Sequence, residues 1–227
     1  MSSLRVDIIS IGTLSRNRLW NETAVVRTAH STTSLVRVGG KNILVDPGLP
    51  PPALKARLFE RTGLLPDQID TVFLTNLRPA HRAGLSLFTR AKLFASEAEI
   101  QAESARLNQL IEDAPEQDED RQYFMNELKL IDTLSVAPDE LGKGVSLFPL
   151  PGYTPGQCGL LIAAPTTTTL LAGDAVATLD HFLAGQVLPD SADIKQAQDA
   201  MREVYEIADI IIPGHDNLFP SPRAMGL

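Results

Sequence analysis

The strongest constraint on this chain is a pattern that recurs four times. An apolar run halts at glycine, proline or threonine, and a side chain with chemistry follows within a few residues. Thr71-Val72-Phe73-Leu74 leads into Thr75-Asn76-Leu77-Arg78-Pro79-Ala80-His81, and Val145 to Leu150 leads into Pro151-Gly152-Tyr153. Thr168 to Ala172 stops at Gly173-Asp174, and Ile210-Ile211-Ile212 stops at Pro213-Gly214-His215. Short continuous apolar runs of this kind fit strands buried on both faces. A strand that ends in Thr-Asn and then meets proline is stopping, not turning into a helix. Loops at the carboxyl ends of such strands are where open α/β sheets place their ligands.

The remaining elements fit around these four. Val6 to Gly12 alternates and reads as a strand, and Ala24 to Arg27 as a second. Thr33 to Val38 and Lys41 to Asp46 flank Gly39-Gly40, a hairpin signal because such turns need positive φ. A helix is expected from Pro50 to Gly63, with proline at its start and glycine past its end. Ala91 to Ala95 reads as a strand. Ser96 with Glu99 three residues on marks the cap of a helix reaching about Ile111. Asp113 to Asp120 reads as an exposed acidic turn before a helix from Arg121 to Leu130. Gly159 to Ala163 pairs with Thr168 to Ala172, and Ala192 to Ile207 has helical periodicity. No linker divides the chain. The layout, strands with helices twice over, fits a mixed α/β (α+β) fold, a four-layer αββα sandwich forming a single domain over residues 1–227.

Composition narrows the partners. The chain is 44% hydrophobic and 21% charged, ordinary for a globular protein, with a net charge of −8. That balance argues against nucleic acid, whose phosphates need a cationic face. The single cysteine, Cys158, excludes an intrachain disulfide and a thiolate cluster, and reads as a small buried packing residue. Met1 to Asp7 lacks the basic and long apolar regions of a secretory signal, and no run approaches the ~18 apolar residues that span a bilayer. A cytoplasmic protein with a small-molecule ligand or substrate is expected, away from membranes, with its oligomer state left open. Trp20 reads as a packing anchor, and His30 and His181 have weaker claims; His181 follows the Asp174 loop and could line a substrate entrance, but reads more readily as a surface histidine.

The ordered fragments resemble the metallo-β-lactamase superfamily over nearly the whole chain. Leu44-Val45-Asp46-Pro47-Gly48, Gly173-Asp174 and Pro213-Gly214-His215 are similar to its motifs directly. Pro151-Gly152-Tyr153-Thr154-Pro155-Gly156 is similar to the family's Pro-Gly-His-Thr-Pro-Gly, with Tyr153 at the histidine. The loop that in the family reads His-x-His-x-Asp-His reads Asn76-x-Arg78-x-Ala80-His81 here. The resemblance implies two metal sites: one at the positions of Asn76, Arg78 and Tyr153, the other at Ala80, His81 and His215, with Asp174 between them. The first has lost every imidazole. Asparagine offers a weak carbonyl, a guanidinium has no electron pair to give, and a neutral phenol is a poor ligand. The second keeps His81, Asp174 and His215, enough for at most one divalent metal, zinc, iron or manganese. Asp46 is expected to support a neighbouring residue.

Two readings follow. In the first, the chain is a hydrolase-like member with a degenerate active site, whose single metal activates water against an ester, thioester, lactone or amide. Asp174 is then ligand or base, and Tyr153 a donor to the developing oxyanion. In the second, it is a metal-free pseudo-enzyme that binds an anionic small molecule through Arg78 or serves as an interaction module. The second gains from the charge of Arg78: two like unit charges 4 Å apart repel by roughly 4 kcal/mol at an effective dielectric of about 20. Arg78 is therefore expected to pair with Asp174 in place of a metal.

Overall fold

A computed structural model describes residues 4–226 of the chain. Met1, Ser2 and Ser3, part of the stretch read above as lacking a signal, lie outside them.

The apolar runs sort into two mixed six-stranded sheets. The first holds β1 (Arg5–Ser10), β2 (Thr33–Val38), β3 (Lys41–Val45), β4 (Thr71–Phe73), β5 (Lys92–Ala95) and β6 (Ser135–Val136), paired in that order. The second holds β7 (Glu140–Gly142), β8 (Val145–Pro149), β9 (Cys158–Ala163), β10 (Thr168–Gly173), β11 (Ile210–Pro213) and β12 (Phe219–Pro220), again in sequence. Three helices pack on the first sheet: α1 (Pro51–Thr62), α3 (Glu97–Asp113) and α4 (Glu119–Ile131). Two pack on the second: α5 (Leu179–Ala184) and α6 (Ile194–Ile207). A single turn, α2 (Pro79–Arg82), carries His81. No helix among the described residues is long and apolar enough to cross a membrane.

Side-chain alternation creates the layers, because successive residues of a strand face opposite ways. Val36, Ile43, Val45 and Phe73 of the first sheet meet Leu160, Ile162, Leu171 and Ile212 of the second in the central core. Their sequence neighbours Leu35, Leu44 and Val72 face outward onto Leu54 and Leu58 of α1 and Leu107 of α3. Leu170 and Ile211 likewise face Met201 and Val204 of α6. The result is the expected αββα sandwich.

The Gly39-Gly40 hairpin forms, with both glycines at positive φ (58° and 79°). α1 begins at proline and ends at Gly63 in the left-handed conformation. Ser96 caps α3 by accepting from the Glu99 amide at 3.1 Å. One strand does not form. Residues 24–27 lie in an irregular loop, with Val25 72% exposed. β-branched residues favour strands only where a partner edge and a buried face exist, and β2 already has β1 and β3 on either side. Trp20 is likewise no packing anchor. It is 58% exposed, and its indole N–H donates to Asp180 Oδ2 at 2.6 Å, tying this loop to α5.

The loop carrying Tyr153 is seated by Gly156, where a Cβ would overlap the Glu99 backbone nitrogen at the start of α3. Gly156→Ala is expected to cost about 1–3 kcal/mol by overpacking. That lowers the melting temperature by roughly 3–10 °C for a chain of this size, readable by differential scanning calorimetry.

Candidate metal centre

Each site residue stands just past the end of a strand, and the two sheets contribute equally. Asp46 follows β3 and His81 sits on α2 after β4, both from the first sheet; Asp174 follows β10 and His215 follows β11, from the second. Asp46 has φ +50°, a conformation that aspartate tolerates better than most residues. Its carboxylate accepts from the Thr75 amide at 2.8 Å and the Thr75 hydroxyl at 2.7 Å. These bonds fix the Asp46 side chain against the base of the loop that carries His81.

His81 is fully buried between two carboxylates. Its Nδ1 lies 3.0 Å from Asp46 Oδ2 and its Nε2 lies 2.8 Å from Asp174 Oδ2. Burial alone would push the imidazole pKa down, but the charges of Asp174 and Asp46 outweigh it and raise it to about 10. Asp174 shows the reciprocal effect. Burial would raise its pKa, but His81 and His215 overcome that and hold the carboxyl well below the usual carboxylate range.

His215 lies edge-on to His81, with ring centroids 5.5 Å apart. Its Nδ1 faces the carbonyls of Thr13 and His30 at 3.1 and 3.0 Å. Two acceptors facing Nδ1 require a proton there, so Nε2 is the ring nitrogen that can offer an electron pair to the site. Nε2 is 3.1 Å from Asp174 Oδ1. That oxygen is buried and accepts no hydrogen bond. Gly214 makes room for it, since a Cβ at this position would overlap Asp174 Oδ1. A buried acceptor facing another electron pair is a place that suits a cation. One donor atom from each of His81, Asp174 and His215 lies within 4.8 Å of the other two, and this donor set fits one divalent ion.

The other half of the constellation does not fit an ion. Asn76 turns its amide N–H groups inward, to Asp174 Oδ2 at 3.1 Å, and its carbonyl accepts from the Arg78 amide at 3.0 Å. The Arg78 guanidinium lies over the Tyr153 ring at 5.8 Å. Tyr153 stays a neutral phenol, because burial and the charges of Asp174 and Asp190 raise its pKa. Ala80 contributes only a methyl group to the cleft wall. The expected Arg78–Asp174 ion pair is absent among the described residues: Asp174 pairs with His81 and His215, and Arg78 turns away onto the phenol. The Tyr153 face attracts the cation, whereas two imidazoles and an amide already surround Asp174.

These groups sit at the bottom of a cleft of about 400 Å³. His181, expected at the surface, is buried and lines this cleft. Its Nδ1 lies 2.8 Å from the hydroxyl of Thr178, the cap of α5. A capping threonine three residues ahead of His181 is a helix-start signal that could have placed the ring. His30 stays peripheral, with its ring nitrogens on the Thr28 and Ile11 carbonyls. Burial pushes the Cys158 thiol up to about 12, which keeps it protonated and unreactive, in line with its packing role. The loop over residues 14–29, which supplies Arg16 and Arg18 to the cleft, carried no sequence signal for that role.

Residues 26–215 match the family model described as the metallo-beta-lactamase superfamily, and the chain belongs to that family. No protein of curated function matches it significantly in sequence. Among solved structures, it is similar to a Thermotoga maritima protein provisionally named a metallo-beta-lactamase (15% identity, 96% of this chain and 99% of that one, TM-score 0.69). It is similar to a quorum-quenching N-acyl homoserine lactone hydrolase (21% identity, 95% and 94%, TM-score 0.67). It is also similar to AidC, a dizinc quorum-quenching lactonase (20% identity, 78% and 67%, TM-score 0.62). Likeness at these identities establishes the shared fold.

Without a metal, the raised pKa of His81 sets a pH dependence. The folded imidazole holds its proton more tightly than the unfolded one, with its ordinary value of 6.5. This stabilisation is complete below pH 6.5 and is lost as pH rises toward about 10. Thermal melts of chelator-treated protein should show the melting temperature falling over that window. The fall should be largely absent in His81→Gln.

Proposed function

We propose that this chain is a mononuclear metal-dependent hydrolase acting on an ester, thioester, lactone or amide of a small molecule. One observation carries the reading: Arg78 stacks on Tyr153, so Asp174 keeps a buried, unbonded oxygen facing the electron pair of His215 and no fixed cation competes for it. The superfamily's hydrolase neighbours, lactonases among them, favour hydrolysis as the reaction class.

His81, Asp174 and His215 hold the ion. When bound, it supplies a more acidic water and a Lewis acid for the scissile carbonyl. The Asp46 carboxylate faces the Nδ1–H of His81, which keeps the ring oriented with Nε2 toward the site. Asp174, held ionised, would orient the attacking water by accepting a hydrogen bond from it. Tyr153, protonated at neutral pH, donates to the oxyanion that develops on the carbonyl. The side chains at Asn76, Arg78 and Ala80 leave no second ion to share the work.

A metal-free binding protein is the second reading, favoured by the self-contained bonding of His81 between Asp46 and Asp174. Elemental analysis of tag-free protein separates the two: about one metal per chain is expected under the first and none under the second. Zinc, iron or manganese added to chelator-treated protein should restore hydrolysis, and His215→Ala should abolish it. Loading must displace the Nε2 proton of His81, so metal affinity should strengthen as pH rises from 6 to 8, by up to about tenfold per pH unit. A pH-independent affinity would contradict His81 as a ligand.

A further inference from the structure

The cleft gathers guanidinium groups in an otherwise acidic protein. Arg16 and Arg18 enter from the loop before β2, and Arg78 enters from the loop after β4. Most other arginines of the chain are held by carboxylates, Arg82 by Glu127 and Arg106 by Glu103 among them. Among the described residues, none of the three cleft arginines forms an ion pair within 4.0 Å. Arg78 rests on the Tyr153 ring, and Arg16 donates only to the Thr23 carbonyl at 3.4 Å. The carboxylates that line the cleft are Asp174 and Asp190. Asp174 is buried and engaged by His81 and His215, which leaves Asp190 alone against three cations.

The arrangement is held in place before any ligand arrives. Asn17, between the two loop arginines, is buried; its side chain accepts from the Leu19 amide at 3.0 Å and its amide donates to Glu22 Oε2 at 2.6 Å. Glu22 in turn pairs with Arg27, and Trp20 anchors to Asp180. A loop fixed in this way loses little backbone freedom when a ligand binds. Unpaired guanidiniums fit planar oxyanions, which they can bind through two parallel N–H groups.

We infer that the ligand of this cleft is a small molecule bearing a carboxylate or phosphate group, which Arg78 takes up together with Arg16 and Arg18. The inference deepens the hydrolase reading by naming the substrate class, an anionic ester, lactone or amide. A cleft of about 400 Å³ limits that substrate to a small molecule.

Calorimetric titration of the chelator-treated full chain tests this without the metal, with inorganic phosphate and succinate as separate probes at low salt. Saturable binding of at least one probe is expected, and it should weaken as salt is raised. The probe that binds tighter distinguishes phosphate from carboxylate. Arg78→Met, and independently the Arg16→Met/Arg18→Met pair, should weaken binding about tenfold or more, while Arg78→Lys retains part of it. Arg61→Met, outside the cleft, should leave it unchanged. Binding of neither probe, or equal binding in every variant, overturns the inference. If Arg78→Met fails to fold, the loop pair alone decides. If the chain as purified, before any chelator, carries no metal and added zinc, iron or manganese restores no hydrolysis, binding of a probe sinks the hydrolase reading and leaves this one standing. Hydrolysis without binding would do the reverse.

Discussion

The contact between His81 and Asp174 joins the two sheets at the edge where the site lies. His81 belongs to the first sheet through α2, and Asp174 to the second through the end of β10. Both are buried, so neither can keep its charge without the other. Asp46 stands behind His81 and Thr75 stands behind Asp46, which fixes the imidazole from the far side. The Thr75 carbonyl also accepts from the Cys158 amide at the start of β9, so one residue ties both the charge network and the sheet-to-sheet backbone.

The same geometry accounts for two states of the centre. With a proton on each nitrogen, His81 faces both carboxylates, and Asp174 Oδ1 is left without a hydrogen bond. In the proposed metal-bound form the ion would take the place of the Nε2 proton, and the Nδ1 proton would stay on His81, facing the Asp46 carboxylate. The choice is an exchange of one positive group for another inside a pocket that cannot be left uncompensated. Arg78 would have blocked that exchange had it paired with Asp174. Tyr153 removes the obstacle by offering an aromatic face in place of an imidazole.

Much of the fold was legible because its signals are local. Glycines at 39, 40 and 63 were read from their need for positive φ, Ser96 from its cap, and the buried strands from unbroken apolar runs. The order of His81, Tyr153, Asp174 and His215 along the chain was enough to nominate the site. Ala24 to Arg27 misled, because β propensity says nothing about whether a sheet edge is available. Trp20 misled because size suggests burial, whereas its N–H found Asp180 at the surface. His181 misled because a lone histidine reads as a surface residue, although the Thr178 cap three residues ahead holds the ring inward.

Sequence by itself determined the layers and which residues stand at the strand ends: both depend on neighbours a few positions away. It also showed which former ligand positions had lost their donors, since Arg78 and Ala80 carry no electron pair to give wherever they lie. Only the tertiary structure decided where Arg78 points, which oxygen of Asp174 is left unbonded, and that Arg16 and Arg18 share a cleft with it. Those outcomes turn on distances between residues far apart in the chain, and the competition between a carboxylate and an aromatic face for one guanidinium is settled only when both are in place.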